Sequence, residues 1–174
     1  QAKQRIDRVP WSVVQRFGVP SEILVGVWAQ ESAFGQVQGD YDVIRSLATL
    51  AYDGRRSAFF RKELFNALKI LNEGHITVAE MRGSWAGAMG HTQFIPTTYS
   101  KYAVDQDGDG KRDIWGDVPD ALASTANYLK GKGWREGAGW AEGEPNFAVF
   151  LEWNKAGVYA KTLAYFATRL NEGR

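Results

Sequence analysis

Two stretches of this sequence carry carboxylates that solubility alone does not explain. In the first, Leu24, Val27, Trp28, Glu31 and Phe34 recur at the i, i+3 and i+4 spacing of one helix face, so Glu31 falls on the stripe that should meet the core. Removing an ionised carboxylate from water is costly unless it is paired, and the usual outcome is a raised pKa, which suits a general acid working near neutral pH. The plainer alternative puts Glu31 at the edge of the stripe or pairs it with Arg45 or Arg55, since structural ion pairs perturb carboxylates too. Glycosidases commonly set two carboxylates about the scissile bond. Here Asp40, Asp42 and Asp53 are the candidates, and each lies in a turn context, "GDYD" or "YDG", where aspartate serves the backbone. None matches Glu31, which leaves a binding module with a structural Glu31, or an enzyme whose substrate supplies the missing nucleophile.

The second stretch, "AVDQDGDGKRDIWGD", spaces Asp105, Asp107 and Asp109 at alternate positions ahead of Gly110. Counted as a calcium loop from Asp105, positions 1, 3 and 5 are aspartates, Lys111 offers its carbonyl at 7 and Asp113 stands at 9. Position 12, normally a bidentate glutamate, is Gly116. Asp117 and Asp120 follow, and Asp117 has a rival use as N-cap of the next helix. Three spaced aspartates repel one another unless a cation lies among them, so a bound ion is favoured over an acidic turn that holds none or holds sodium. His91 has no visible orienting partner and reads as structural or surface.

The elements that must position these residues follow from periodicity and punctuation. Pro20 at a first-turn position, with Glu22 beside it, opens a helix of about four turns that reaches Phe34 before Gly35. A second helix is expected within "DVIRSLATLAYDG", and a third from an N-cap at Ser57 through Phe60, Leu64, Leu68 and Leu71 to Gly74. "RGSWAGAMGHTQFIP" is rich in small residues and reads as a shaped loop or short hairpin, in which Gly83, Gly87 and Gly90 fit close backbone approach to a ligand or a plain loop. A short helix from Thr97, the acidic loop, and a helix from about Pro119 to Lys130 come next. "GKGWREGAGWAEGEP" reads as irregular, "NFAVFLEW" as one strand and "GVYAKTLAYFATRL" as the closing helix. The sum is a mainly α, single-domain α+β fold with a short β element.

At 174 residues the chain suits one domain with a real core. With Lys plus Arg at 21 against Asp plus Glu at 20, no global field points to nucleic acid, and the one dense basic run is "RRSAFFRK". There is no cysteine, which excludes disulfides and thiolate chemistry. No apolar run approaches the ~20 residues of a spanning helix. The opening "QAKQRIDRVP" has neither initiator Met nor signal segment, as expected of a processed or trimmed chain. Aromatics at 13% suit sugar rings as well as cores.

With Glu31 in "WAQESAFG", followed by "SLATLAYDGRRSAFF", "GSWAGAMGHTQFIPTTYSKYAVD" and "PDALASTANYLKGKGW", the chain closely resembles the lytic murein transglycosylase B family. The resemblance runs from about Val19 to Trp134 and resumes at "NFAVFLEWNKAGVYA". It implies a lysozyme-like domain over 1–174 that cleaves the β-1,4 bond between N-acetylmuramic acid and N-acetylglucosamine and leaves a 1,6-anhydromuramoyl end. Glu31 would be acid and then base. By motif, Ser84, Gln93, Tyr128, Asn154 and Tyr159 map to groove residues, and Arg55 and Arg56 to an arginine pair facing the muramoyl peptide. Each also fits a plain role: a turn cap for Ser84, core packing for the tyrosines, a solvated face for the arginines. The resemblance also implies an EF-hand-like loop at 105–120 in which Asp105, Asp107, Asp109 and Lys111 hold a structural calcium and Asp120 closes the site, with Asp117 as the alternate. No catalytic cofactor is implied. The expected partners are peptidoglycan glycan strands and proteins of cell-wall synthesis, for a monomer in the periplasm or cell envelope of a Gram-negative bacterium, with a lipid anchor on the intact protein left open.

Two positions depart from the family. Ala156 stands where a serine is usual, and the segment between Trp134 and Trp153 is much shorter than usual, which bears on the placement of Asn154 and Tyr159. The rival readings are a hydrolytic lysozyme of the same fold, a non-catalytic peptidoglycan-binding domain and a calcium-responsive regulator.

Overall fold

The computed structural model describes residues 2–173. Helices α1 (Ala2–Ile6) and α2 (Trp11–Phe17) lead into α3 (Ser21–Ser32), then strand β1 (Tyr41–Asp42) and the helix pair α4 (Val43–Asp53) and α5 (Ser57–Asn72). Strand β2 (Arg82–Gly83) precedes α6 (Pro96–Tyr102), α7 (Val118–Gly131), α8 (Phe147–Trp153) and α9 (Gly157–Glu172). The fold is mainly helical with a two-stranded antiparallel sheet, in which Tyr41 faces Gly83 and Asp42 faces Arg82.

Helix α3 is the pivot. Ile23, Leu24, Val25, Gly26, Val27 and Trp28 are all buried, so the helix is enclosed on every side rather than along one stripe. It starts after Pro20, which occupies the N-cap rather than the first turn, and it stops at Ser32. Ala33 and Phe34 then take left-handed φ of 48° and 62°, which turns the chain sharply just past Glu31. Phe34 therefore lies outside the helix. Gly26 lets α9 approach closely, because a Cβ there would stand 2.6 Å from Leu163 Cδ1.

Two cores result. One gathers α2, α3, α7, α8 and α9 around Val13, Ile23, Leu24, Leu122, Leu129 and Phe150. The other joins α4, α5 and α6 with Met81, Met89 and Ile114. Tyr128 and Trp153 pack against both and mark the seam between them.

Further local expectations are corrected. "NFAVFLEW" is helix α8 and not a strand; Phe147 and Phe150 are one helical turn apart and both face the core, a pattern that a short apolar run does not distinguish from a strand. Ser57 is the first residue of α5 and makes no capping bond, Arg56 holding the cap position. Helices α1 and α2 lie in a stretch for which the sequence suggested no element. The connection from α7 to α8 is closed by Asn146, whose side chain accepts from Arg135 N at 2.8 Å and donates to the carbonyls of Arg135 and Ala138.

Gly26→Val is expected to overpack the contact between α3 and α9, at about 1–3 kcal/mol. Thermal unfolding should then show a Tm roughly 2–10 °C below wild type.

Candidate active site

Glu31 lies in the last turn of α3, partly buried, beside the α8–α9 turn. Its Oε1 accepts two hydrogen bonds, from Trp153 Nε1 at 2.8 Å and from the Tyr159 hydroxyl at 2.5 Å. Burial pushes the Glu31 carboxyl above its usual range, and the bonds from Tyr159 and Trp153 pull the other way without cancelling it. Burial and the adjacent Glu31 push the Tyr159 phenol well up, so it stays protonated as a donor. Among the described residues Glu31 makes no ion pair, and Arg55 binds Asp53 at 2.7 Å instead. Nor is a second carboxylate among the influences on its proton. Asp42 caps α4 by accepting from Arg45 N, which is the backbone role its turn context suggested.

The other sequence-derived positions fall into groups. Gln93, Tyr128 and Trp153, with Phe94, Ile95 and Thr98, line a cavity of about 210 Å³. Gln93 takes a left-handed φ of 53°, and its amide donates to the carbonyls of Gln38 and Gly90. The Tyr128 hydroxyl donates to the Glu152 carbonyl, its ring meets Trp153 at 4.7 Å, and burial pushes its phenol up to about 12. Ser84 Oγ accepts from Ala86 N and Ala88 N, a turn-capping role that leaves its hydroxyl proton free to donate. Asn154 is exposed and does not touch Glu31; its side chain accepts from Ala156 N and sets the turn that delivers Trp153 on one side and Tyr159 on the other. Arg56 lies over Phe59 at 4.4 Å, and both arginines border a separate cavity of about 260 Å³ with Leu50, Phe60 and Trp85.

Trp153 was missed as a functional residue, although it is the tryptophan of the "WN" pair used to place Asn154. Its signal was weak, because an aromatic at the end of an apolar run reads as core. A larger cavity, about 440 Å³, lies between the turn after α5 and Lys111. Glu31 lines neither this cavity nor the one beside Trp153, so chemistry rather than volume locates the site.

In the acidic loop, Asp105, Asp107 and Asp109 offer carboxylate oxygens within 4.8 Å of one another. Asp120 stands apart from that trio. It is buried, and its two oxygens accept from Gln106 N at 2.6 Å and Asp113 N at 2.8 Å, which ties both arms of the loop to the start of α7. Burial raises its pKa to about 6, against the pull of those two amides. Asp117 caps α7 by accepting from Asp120 N. The Lys111 amide donates to Asp109 Oδ1.

The transglycosylase SLT domain matches residues 1–144, and the chain belongs to that family. It is 42% identical over 124 residues to the membrane-bound lytic murein transglycosylase B of Escherichia coli K12, an overlap that covers 71% of this chain and 34% of that protein. The chain thus spans about a third of that curated relative. SltB3 from Pseudomonas aeruginosa, solved with NAG-anhNAM-pentapeptide, superposes with a TM-score of 0.93 at 37% identity, over 100% of this chain and 64% of that one. The Escherichia coli lytic transglycosylase Slt35, solved in complex with calcium, gives 0.87 at 29% identity, over 98% and 72%. The fold is that of the lysozyme-like lytic transglycosylases. No described helix is long and apolar enough to cross a membrane.

Behind Glu31 the helix end is anchored to His91. Trp28 Nε1 donates to His91 Nδ1 at 2.8 Å, and Ser32 Oγ donates to the His91 carbonyl at 2.9 Å. Burial lowers the His91 pKa, so the imidazole is a neutral acceptor at Nδ1. Trp28→Phe leaves that buried nitrogen without its donor and is expected to cost roughly 1–3 kcal/mol, read as a lower urea midpoint.

Proposed function

We propose that this chain is a peptidoglycan lytic transglycosylase domain spanning 1–174, acting in the bacterial cell envelope. The observation that carries the reading is a carboxylate of raised proton affinity, held by two neutral donors, with no second carboxylate among the described residues acting on its proton. Such a site can protonate a leaving oxygen, but it has no carboxylate nucleophile and no base for a water on the opposite face. A hydroxyl of the substrate itself can supply the nucleophile. Glu31 gives its proton to the glycosidic oxygen as the bond to muramoyl C1 breaks, and N-acetylglucosamine leaves with its 4-hydroxyl restored. The muramoyl C6 hydroxyl then attacks C1, and its proton returns to Glu31. The anhydro sugar held by SltB3 supports this product.

Gln93, Tyr128 and Trp153 offer a cavity walled by rings and by a fixed amide, which suits the apolar faces and polar rims of a glycan strand. Ser84 has a hydroxyl proton to donate to the reacting sugar, and Asn154 orients the turn carrying Tyr159. Arg55 and Arg56 sit with Trp85 where an anionic stem peptide would find charge and an apolar wall.

Mass analysis of digested murein tests the reading directly. The expected products carry 1,6-anhydromuramoyl ends, and hydrated reducing ends without them would make this a lysozyme. Glu31→Gln should lower turnover by at least ~10³-fold while sacculus binding persists, because it removes the proton and keeps the shape.

The acidic loop fits a hard divalent cation at Asp105, Asp107 and Asp109, and the Lys111 carbonyl and Asp120 would complete the holding set once an ion draws the loop in. Both Asp120 oxygens keep a lone pair beyond their backbone bonds. A calcium ion there would supply charge neutralisation and a fixed joint between α6 and α7, outside the chemistry. A protonated Asp120 cannot ligate, so the rise in Tm on adding calcium should grow as pH rises through about 6 and should flatten in Asp120→Asn. Loss of turnover without any change in Tm on chelation would contradict a structural ion.

A further inference from the structure

The two donors to Glu31 reach the same oxygen. Trp153 Nε1 and the Tyr159 hydroxyl both end on Oε1, at 2.8 and 2.5 Å. No donor among the described residues reaches Oε2, and Oε2 is not a sealed, unpartnered atom either. It is the oxygen left open to an incoming partner.

The donors differ in kind, and the difference decides where a proton can sit. A phenol donates or accepts, so Tyr159 alone would tolerate the acid proton on either oxygen. An indole N–H only donates, and a protonated carboxyl oxygen is a poor acceptor. Trp153 therefore makes Oε1 the carbonyl-type oxygen of the neutral acid. Tyr159 then donates to it as well.

We propose that Trp153 is the positioning residue of the general acid: its indole fixes the transferable proton of Glu31 on Oε2, facing the substrate. Once that proton has passed to the glycosidic oxygen, the same two bonds hold the negative charge toward Oε1. The lone pair of Oε2 is then free to accept the proton of the C6 hydroxyl, so one oxygen performs both transfers. The Trp153 ring is itself fixed, by Tyr128 at 4.7 Å and Phe94 at 5.7 Å, which gives the N–H a single direction. The proposal rests on Glu31 being the acid, and its test is chosen to separate the two claims.

Trp153→Phe keeps a ring and removes the donor. Benzothienylalanine at position 153 keeps the bicyclic shape without the N–H, and serves if the Phe variant misfolds. A ¹³C NMR titration of the Glu31 carboxyl, assigned with Glu31→Gln, reads proton affinity without requiring turnover. Hydrogen bonds to the ionised form lower a carboxyl pKa, so either variant should raise the Glu31 midpoint by roughly one pH unit. The alkaline limb of anhydro-product release should move up with it, and kcat should fall more than KM changes. A reduced rate with an unmoved midpoint and an unmoved limb overturns the proposal, since lost packing slows an enzyme without moving a titration. A shifted midpoint in a protein that releases no anhydro product upholds the pairing and removes the transglycosylase reading.

Discussion

Everything at the site depends on raising the proton affinity of one carboxyl, Glu31, at the edge of a packed core. Burial alone would push Glu31 toward permanent neutrality, and full solvation would leave it ionised. The structure holds it between these limits with one partly buried position and two uncharged donors. An arginine in place of either donor would favour the charged form too strongly for a proton donor. The basic residues near in sequence are engaged elsewhere, Arg55 with Asp53 and Arg56 with Phe59.

That balance requires α3 and α9 to meet closely, although well over a hundred residues separate their donors and acceptor in the chain. Gly26 permits the approach, and the turn at Asn154 supplies both donors from one short segment. His91, held by Trp28 and Ser32, braces the end of α3 so that the carboxylate direction is set from behind. Tyr128 and Trp153 close the seam between the two cores, which makes the rings beside the acid part of the packing as well as part of the cleft.

Much of this was legible in the sequence. The helix carrying Glu31, the capping aspartate at Asp117 and the acidic loop all follow from local chemistry, which is where single-sequence reasoning is strongest. The stripe argument pointed to Glu31 for an incomplete reason, because α3 is buried on all sides and periodicity cannot single out one face of such a helix. The donors were harder to find. Tyr159 entered by motif, and Trp153 looked like core because its ring is core; only its N–H is functional, and no local pattern marks which atom of a tryptophan matters. Helix α8 was misread because a seven-residue apolar run satisfies both periods, and tertiary burial of Phe147 and Phe150 decided between them. Asp120 was expected only as an ion ligand, and its clamp on the amides of Gln106 and Asp113 depends on chain geometry across the loop.

The Asn146 side chain gives the connection between α7 and α8 an unusual independence. It joins Arg135 to Asn146 directly and also holds the Ala138 carbonyl, so one side chain brings the two ends of that excursion together. Helix α8 and the turn that carries both donors to Glu31 begin directly after this closure. An exposed excursion whose ends are already held together is the kind of place where a chain tolerates added sequence, because the closure sets the distance that an insert would have to span.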